Sequence, residues 1–228
     1  MYAKLHRSLH TVIDLSRLGL DRIEERKDEV AIGAMVTLRQ IETEPCLQEL
    51  FGGVLPKSVC SIVGVQFRNT ATVGGSVYGK FGFSDLITAL LALDTRVELY
   101  HAGAMKLTDF LANPLPERDI LMSIHIRKDG RRAAYATQRA SATDFGILNV
   151  CAAKKADGTC TVSVGGRPGM AVRCEEAAAA LQLGDIAAAR ATIADTVRYG
   201  DNLRAGAEYR KALSGVLLQR AWDELQEV

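Results

Sequence analysis

No two of the five cysteines (Cys46, Cys60, Cys151, Cys160, Cys174) stand at C-x-x-C spacing. None of the four histidines (His6, His10, His101, His125) lies in an H-E-x-x-H pattern. Zinc and iron–sulfur sites need closely spaced ligands of these kinds, so no metal is expected on this chain. The cysteines are assigned to the core and the histidines to the surface. There is no excess of one charge either. The formal net charge is +1, which provides no basic field to attract nucleic acid. No apolar run approaches the roughly 20 residues of a membrane span. The N-terminus lacks the apolar stretch and cleavage site of a signal peptide. There is no repeat, no low-complexity tract and no flexible linker. These absences leave a cytoplasmic, globular protein. Its 228 residues, 48% hydrophobic and 24% charged, suffice for one large domain or two small ones without a covalent staple.

The sequence then divides into two styles. In the first, Val12–Leu15 and Glu29–Ala34 read as strands. Thr37 is an N-cap for a helix around Leu38–Glu42 that Pro45 closes. Leu55–Ile62 reads as a second helix. Asn69–Ser76 is a glycine-rich stretch. Ser84 caps a helix with Asp85 at its positive end and Leu86, Ile87, Leu90 and Leu91 as its apolar stripe. Thr95–Tyr100 alternates as a strand. In the second style, Ile120–Ile126, Ala133–Gln138, Ile147–Ala153 and Cys160–Gly165 read as antiparallel strands, with hairpin turns at Asp129-Gly130 and Asp157-Gly158. Alanine-rich helices follow over Glu175–Leu183, Ile186–Tyr199 and Ala207–Leu225. A boundary falls near Arg127.

The block Phe67-Arg68-Asn69-Thr70-Ala71-Thr72-Val73-Gly74-Gly75-Ser76 carries the clearest chemistry. Adjacent glycines let a backbone approach a diphosphate and present N–H groups to its oxygens. Thr72 and Ser76 add hydroxyls, and Asp85 can accept from a ribose. The same residues read equally well as a tight turn followed by a capped helix. No G-x-G-x-x-G is present, so this is not a Rossmann fingerprint.

The segment Ser61–Tyr100 resembles the flavin-binding segment of the FAD subunits of molybdenum hydroxylases, the xanthine dehydrogenase and carbon monoxide dehydrogenase family. That pattern runs Arg-Asn, Ala-Thr-x-Gly-Gly-Asn and Ser-Asp-Leu. Here it is Arg68-Asn69, Ala71-Thr72-Val73-Gly74-Gly75-Ser76 and Ser84-Asp85-Leu86. Ile32-Gly33-Ala34-Met35-Val36-Thr37, Asp119-Ile120-Leu121 and Glu208-Tyr209-Arg210 resemble further family stretches. The resemblance implies FAD as cofactor. Thr72, Gly74, Gly75 and Ser76 would line its diphosphate and Asp85 would bind a ribose. Phe67 and Leu121 would pack on the adenine or the ring. It also implies partners: a molybdenum-cofactor subunit, a two-cluster iron–sulfur subunit, and NAD or another acceptor. No residue of this chain is assigned as catalytic. The sequence departs from the family at Ser76, where asparagine is usual, and at Ala136, where some members carry lysine. Arg139 or Lys80 can supply a cation instead, or each is a solvated surface charge. The family's Ala-Gly-Gly-Thr-Asp-like loop lies ahead of the strand matched by Val12–Leu15, so the expectation is either a start that is truncated or misassigned or a site lacking one wall.

The resulting expectation is an α+β flavoprotein. Residues 1–127 form a partial PCMH-type FAD-binding domain. Residues 128–228 form a three-stranded antiparallel sheet packed with helices. Its function is electron transfer through FAD. An assembly or remnant subunit with weak FAD binding is the alternative. Outside the core of this reading, Arg127–Arg132 is a solvated hairpin tip or a docking point. Thr143-Asp144-Phe145 reaches the flavin edge or packs at a strand entrance. Trp222 is core or interface.

Overall fold

The structure, a computed structural model, describes residues 11–113 and 118–227. The reading of His6 and His10 lies outside them. No helix among the described residues is long and apolar enough to cross a membrane.

The first sheet is five-stranded and antiparallel throughout. Its strands are β1 (Ile23–Glu25), β2 (Glu29–Gly33), β3 (Arg96–Leu99), β4 (Gly103–Lys106) and β5 (Leu121–Arg127), in the spatial order β1-β2-β5-β3-β4. Val30, Ile32, Val97, Ile124 and Ile126 are fully buried on one face, as alternation requires. Against that face lie short helices: α1 (Leu38–Thr43), α2 (Pro45–Glu49), α3 (Val54–Val59), α5 (Val73–Tyr78), α6 (Asp85–Ala92) and α7 (Leu107–Ala112), while α4 (Val65–Arg68) packs on α1. Thr37 caps α1 in a reciprocal capping box with Gln40, and Ser84 caps α6 through the Ile87 N–H, as anticipated.

The second sheet has the order β6-β7-β8-β9, from β6 (Arg132–Arg139), β7 (Gly146–Lys154), β8 (Cys160–Gly165) and β9 (Val172–Arg173). The expected three strands are present, and the two-residue β9 adds a fourth at the edge. One face, with Tyr135, Cys151 and Ala153, joins the first core around α6. The other, with Leu148, Val150, Val162 and Val164, packs on α8 (Glu175–Gln182), α9 (Ile186–Thr196) and α10 (Ala207–Gln226). Trp222 lies in this second core at 9% exposure.

Several expectations need correction. Val12–Leu15 forms no strand. Val12 and Ile13 are 68% exposed and pair with no strand among the described residues, and a strand without a ladder has nothing to hold it. Pro45 does not merely close α1 but opens α2 at its first position, where its missing N–H costs nothing. Of the glycine-rich stretch, Val73–Ser76 opens the helix α5, capped by Thr72. Asp129-Gly130 makes a turn with Gly130 at φ 73°, yet β5 and β6 do not pair. β5 lies between β2 and β3, while β6 starts the other sheet. The segment Arg127–Arg132 is accordingly a pinned corner. Arg131 is 4% exposed, chelates Asp129 at 2.8 and 2.6 Å and donates to the Ala92 carbonyl, while Lys128 reaches Glu25. Cys60 is exposed and Cys46 is half-buried. His125 is half-buried between Glu29 and Ser123.

Candidate functional site

A cleft of about 450 Å³ opens where α4, α5 and the start of α6 meet the loop between β6 and β7. Its walls are largely apolar: Phe67, Phe81, Phe83 and Phe145, with Ile62 and Val63. The rings of Phe81 and Phe83 stack at 5.2 Å, and Phe145 meets Phe83 edge-on at 4.5 Å. Such aromatic walls suit a flat conjugated ligand. Val63, at φ 48°, is a β-branched residue in the left-handed region, a strained position of the kind that gathers at binding sites.

One polar group of side chains is set into this wall. Asp85 is 4% exposed. It accepts from Tyr135 Oη at 2.6 Å and from Arg139 Nη2. Burial raises the Asp85 pKa, opposed by the Arg139 charge and both hydrogen bonds. Burial and the adjacent carboxylate hold the Tyr135 hydroxyl protonated. Arg139 is therefore no surface charge. Its Nη1 also donates to the Asp144 carbonyl at 2.5 Å, and its buried Nε has no hydrogen-bond partner among the described residues. Arg204 bonds the Asp144 carboxylate and lies over Phe145, 4.9 Å from the ring centre. These contacts tie the 140–145 lip to the rest. Lys80, the other cation considered, is turned away. It donates to the carbonyls of Phe110 and Asn113 and lies over the Phe110 ring.

The backbone of the glycine block is spent internally. Val73 N–H donates to Val36 O at 2.8 Å and Gly74 N–H to Ala34 O at 2.7 Å. Gly75 N–H donates to Thr72 Oγ1 at 3.1 Å and Ser76 N–H to Thr72 O at 3.0 Å. The anticipated fan of free N–H groups is absent here, because α5 starts by bonding back to the loop after β2. Arg68 likewise serves structure. It forms a two-pronged pair with Glu42 and donates to the Ile62 carbonyl.

Residues 1–127 match the family described as the FAD binding domain in molybdopterin dehydrogenase. The chain belongs to this family. Among curated relatives, the uncharacterized protein YgfM of Escherichia coli (strain K12) is 27% identical over 227 residues, covering 94% of this chain and 80% of that protein. The nicotine 6-hydroxylase medium subunit of Paenarthrobacter nicotinovorans is 28% identical, covering 92% of this chain and 80% of that subunit. The nicotinate dehydrogenase FAD-subunit of Eubacterium barkeri is 29% identical over 66% of this chain and 56% of its own length. The fold is shared with the Cu,Mo-CO dehydrogenase, at a TM-score of 0.80 and 22% identity, covering 90% of this chain and 77% of that one.

The cleft fits the flavin this FAD-binding family takes. At Gly75 an added Cβ would meet only Thr72 Oγ1, at 3.3 Å, so the missing side chain leaves room in the cleft wall. The aromatic walls and the unpartnered Arg139 Nε suit a flat ring system with acceptor oxygens. Of the residues singled out in sequence, Phe67, Thr72, Gly75, Ser76 and Asp85 come together here. Gly74 and Leu121 do not. Gly74 faces Ala34, and Leu121 is 3% exposed within the core beneath the first sheet. Phe81, Phe83 and the engaged role of Arg139 went unread. The two phenylalanines stand in sequence beside Ser84-Asp85, the one signal that pointed to them.

Proposed function

We propose that this chain is the FAD-binding electron-transfer component of a molybdenum hydroxylase-type oxidoreductase. The observation that carries the reading is the aromatic cleft built by the family-matched segment around Thr72, Gly75 and Asp85. FAD, when bound, supplies one- and two-electron transfer. The chain's own residues bind and orient it. Phe67, Phe81, Phe83 and Phe145 exclude water from the faces of the cofactor, Gly75 leaves it room, and Asp85, Tyr135 and Arg139 form the polar anchor. Thr72 and Ser76 stand at the wall, though the Ser76 hydroxyl already donates to Thr72 O. The hydroxylation chemistry belongs to a molybdenum-cofactor partner. Electrons arrive from a two-cluster iron–sulfur partner and leave to NAD or another acceptor. The medium-subunit and FAD-subunit relatives support this arrangement.

A second reading, an assembly subunit that holds FAD weakly, is favoured by the internal partners of the N–H groups at 73–76. Titrating FAD into the purified chain, with flavin fluorescence as readout, separates the two. Saturable binding with a flavin absorbance band in the isolated complex supports the first. Absence of binding in the chain and in the complex assembled with its partners overturns it.

A further inference from the structure

Arg139 is held at both ends of its guanidinium. Nη2 is on Asp85, which Tyr135 also holds, and Nη1 is on the Asp144 carbonyl. The side chain is 8% exposed, yet Nε finds no acceptor among the described residues. A guanidinium presents five donors in a fixed fork. Buried donors in folded proteins are normally satisfied, and one left open calls for an explanation. Tyr135 and Asp85 fix the arginine before any ligand arrives, so little freedom is lost when an acceptor meets it. The surrounding walls are apolar, which strengthens any hydrogen bond made there.

We propose that Arg139 is a ligand-binding residue of this cleft, its Nε–H being the donor for an electron-rich oxygen of the bound flavin nucleotide. That oxygen belongs either to the diphosphate or to the carbonyl edge of the ring; both are acceptors for a cation-assisted hydrogen bond. The inference rests on the reading of the chain as an FAD subunit and adds a residue to it. It also accounts for Ala136: the cation of the cleft comes from Arg139, further along the same strand.

The test uses the full chain. Arg139→Lys keeps a positive charge for Asp85 and removes the Nε–H. Wild type and variant are titrated with FAD, riboflavin and ADP, and their ligand-free melting temperatures are compared. The expected result is FAD affinity weaker by about tenfold or more, the loss of one charge-assisted hydrogen bond, with the ligand-free melt lowered by no more than a few degrees for the lost bond to the Asp144 carbonyl. A matching loss for ADP places the oxygen on the diphosphate. A matching loss for riboflavin places it on the ring. Equal FAD affinity in the two proteins overturns the inference and leaves the FAD reading standing. An affinity loss that only follows a fall in the ligand-free melt also overturns it, because the arginine is then purely structural. Should Arg139→Lys fail to fold, Asp85→Asn with Arg139→Met is compared with Asp85→Asn alone, so that any further loss of FAD affinity belongs to Arg139, and the same criteria apply to that pair. A wild type that binds none of the three probes overturns the FAD reading itself and this inference with it.

Discussion

Gly74 and Gly75 are neighbours with opposite duties. A Cβ on Gly74 would lie 2.7 Å from the Ala34 carbonyl oxygen and 2.9 Å from the Ala34 Cβ. Gly74→Ala is therefore expected to cost about 1–3 kcal/mol of stability, as overpacking does, and to lower the urea midpoint. Gly75→Val should leave the ligand-free melt within a few degrees, because its Cβ meets only Thr72 Oγ1, while its branches obstruct the cleft. Flavin fluorescence titration should show FAD affinity sharply reduced. Wild-type affinity in Gly75→Val would count against the cleft as the FAD site. Asp85 is more than a charge at a helix start. Asp85→Ala takes from the buried Arg139 the carboxylate it is bonded to, and breaking a buried pair in this way costs about 3–5 kcal/mol. Chemical denaturation of the ligand-free protein checks this. A loss below about 1 kcal/mol would return Asp85 to the role of a helix-dipole charge.

The corner between β5 and β6 holds two sheets at one angle through the Asp129–Arg131 chelate. Burial pushes the Asp129 carboxyl up, but the Arg131 hydrogen bonds and charge, with Lys155 beside it, outweigh burial and bring its pKa to about 2 from an ordinary 3.8. The folded value lies below the unfolded one, so the ionised form favours folding. That stabilisation is complete above the ordinary value and is lost as pH falls through about 2. At 1.36 kcal/mol per pH unit its size is roughly 2 kcal/mol. Asp129→Asn should therefore be less stable than wild type at neutral pH and should close most of that gap between pH 4 and 2, followed by urea denaturation across that range. An unchanged gap would show that the corner is held by packing. At this scale the helix starts were legible, because Thr37 and Ser84 act on N–H groups three residues away. The partner of β5 was not. Asp129-Gly130 signals a turn, and a turn does not say which strand comes next to which.

The second sheet is buried on both faces. Tyr135, Cys151 and Ala153 belong to the first core, while Leu148, Val150 and Val162 belong to the second. α6 is seated on β8 so closely that a Cβ on Gly165 would come within 1.9 Å of Thr88 Oγ1, and Ser163 Oγ donates to the Thr88 carbonyl at 2.7 Å. With one sheet shared, neither core can come apart without stripping the other. Urea unfolding should therefore be a single transition. The fluorescence of Trp222, the only tryptophan, reports the second core, and far-UV ellipticity reports the whole. The two traces should superimpose, and separated midpoints would mean that the residues before and after the Arg127 corner fold as independent units.

The sequence by itself determined the local features: the capped helices α1 and α6, the β6–β7–β8 run, the alanine-rich helices, and the family motif with Thr72, Gly75 and Asp85. Each rests on contacts within a few residues or on periodicity along one element. Only the tertiary structure decided that β5 joins β2 and β3, that Val12–Leu15 joins no strand among the described residues, and that the N–H groups of the glycine block bond to Ala34, Val36 and Thr72. It also decided that Arg139 is drawn inward to Asp85 with one nitrogen, Nε, lacking a partner among the described residues. Those outcomes depend on which distant groups satisfy one another once water is excluded. No spacing along the chain encodes that competition.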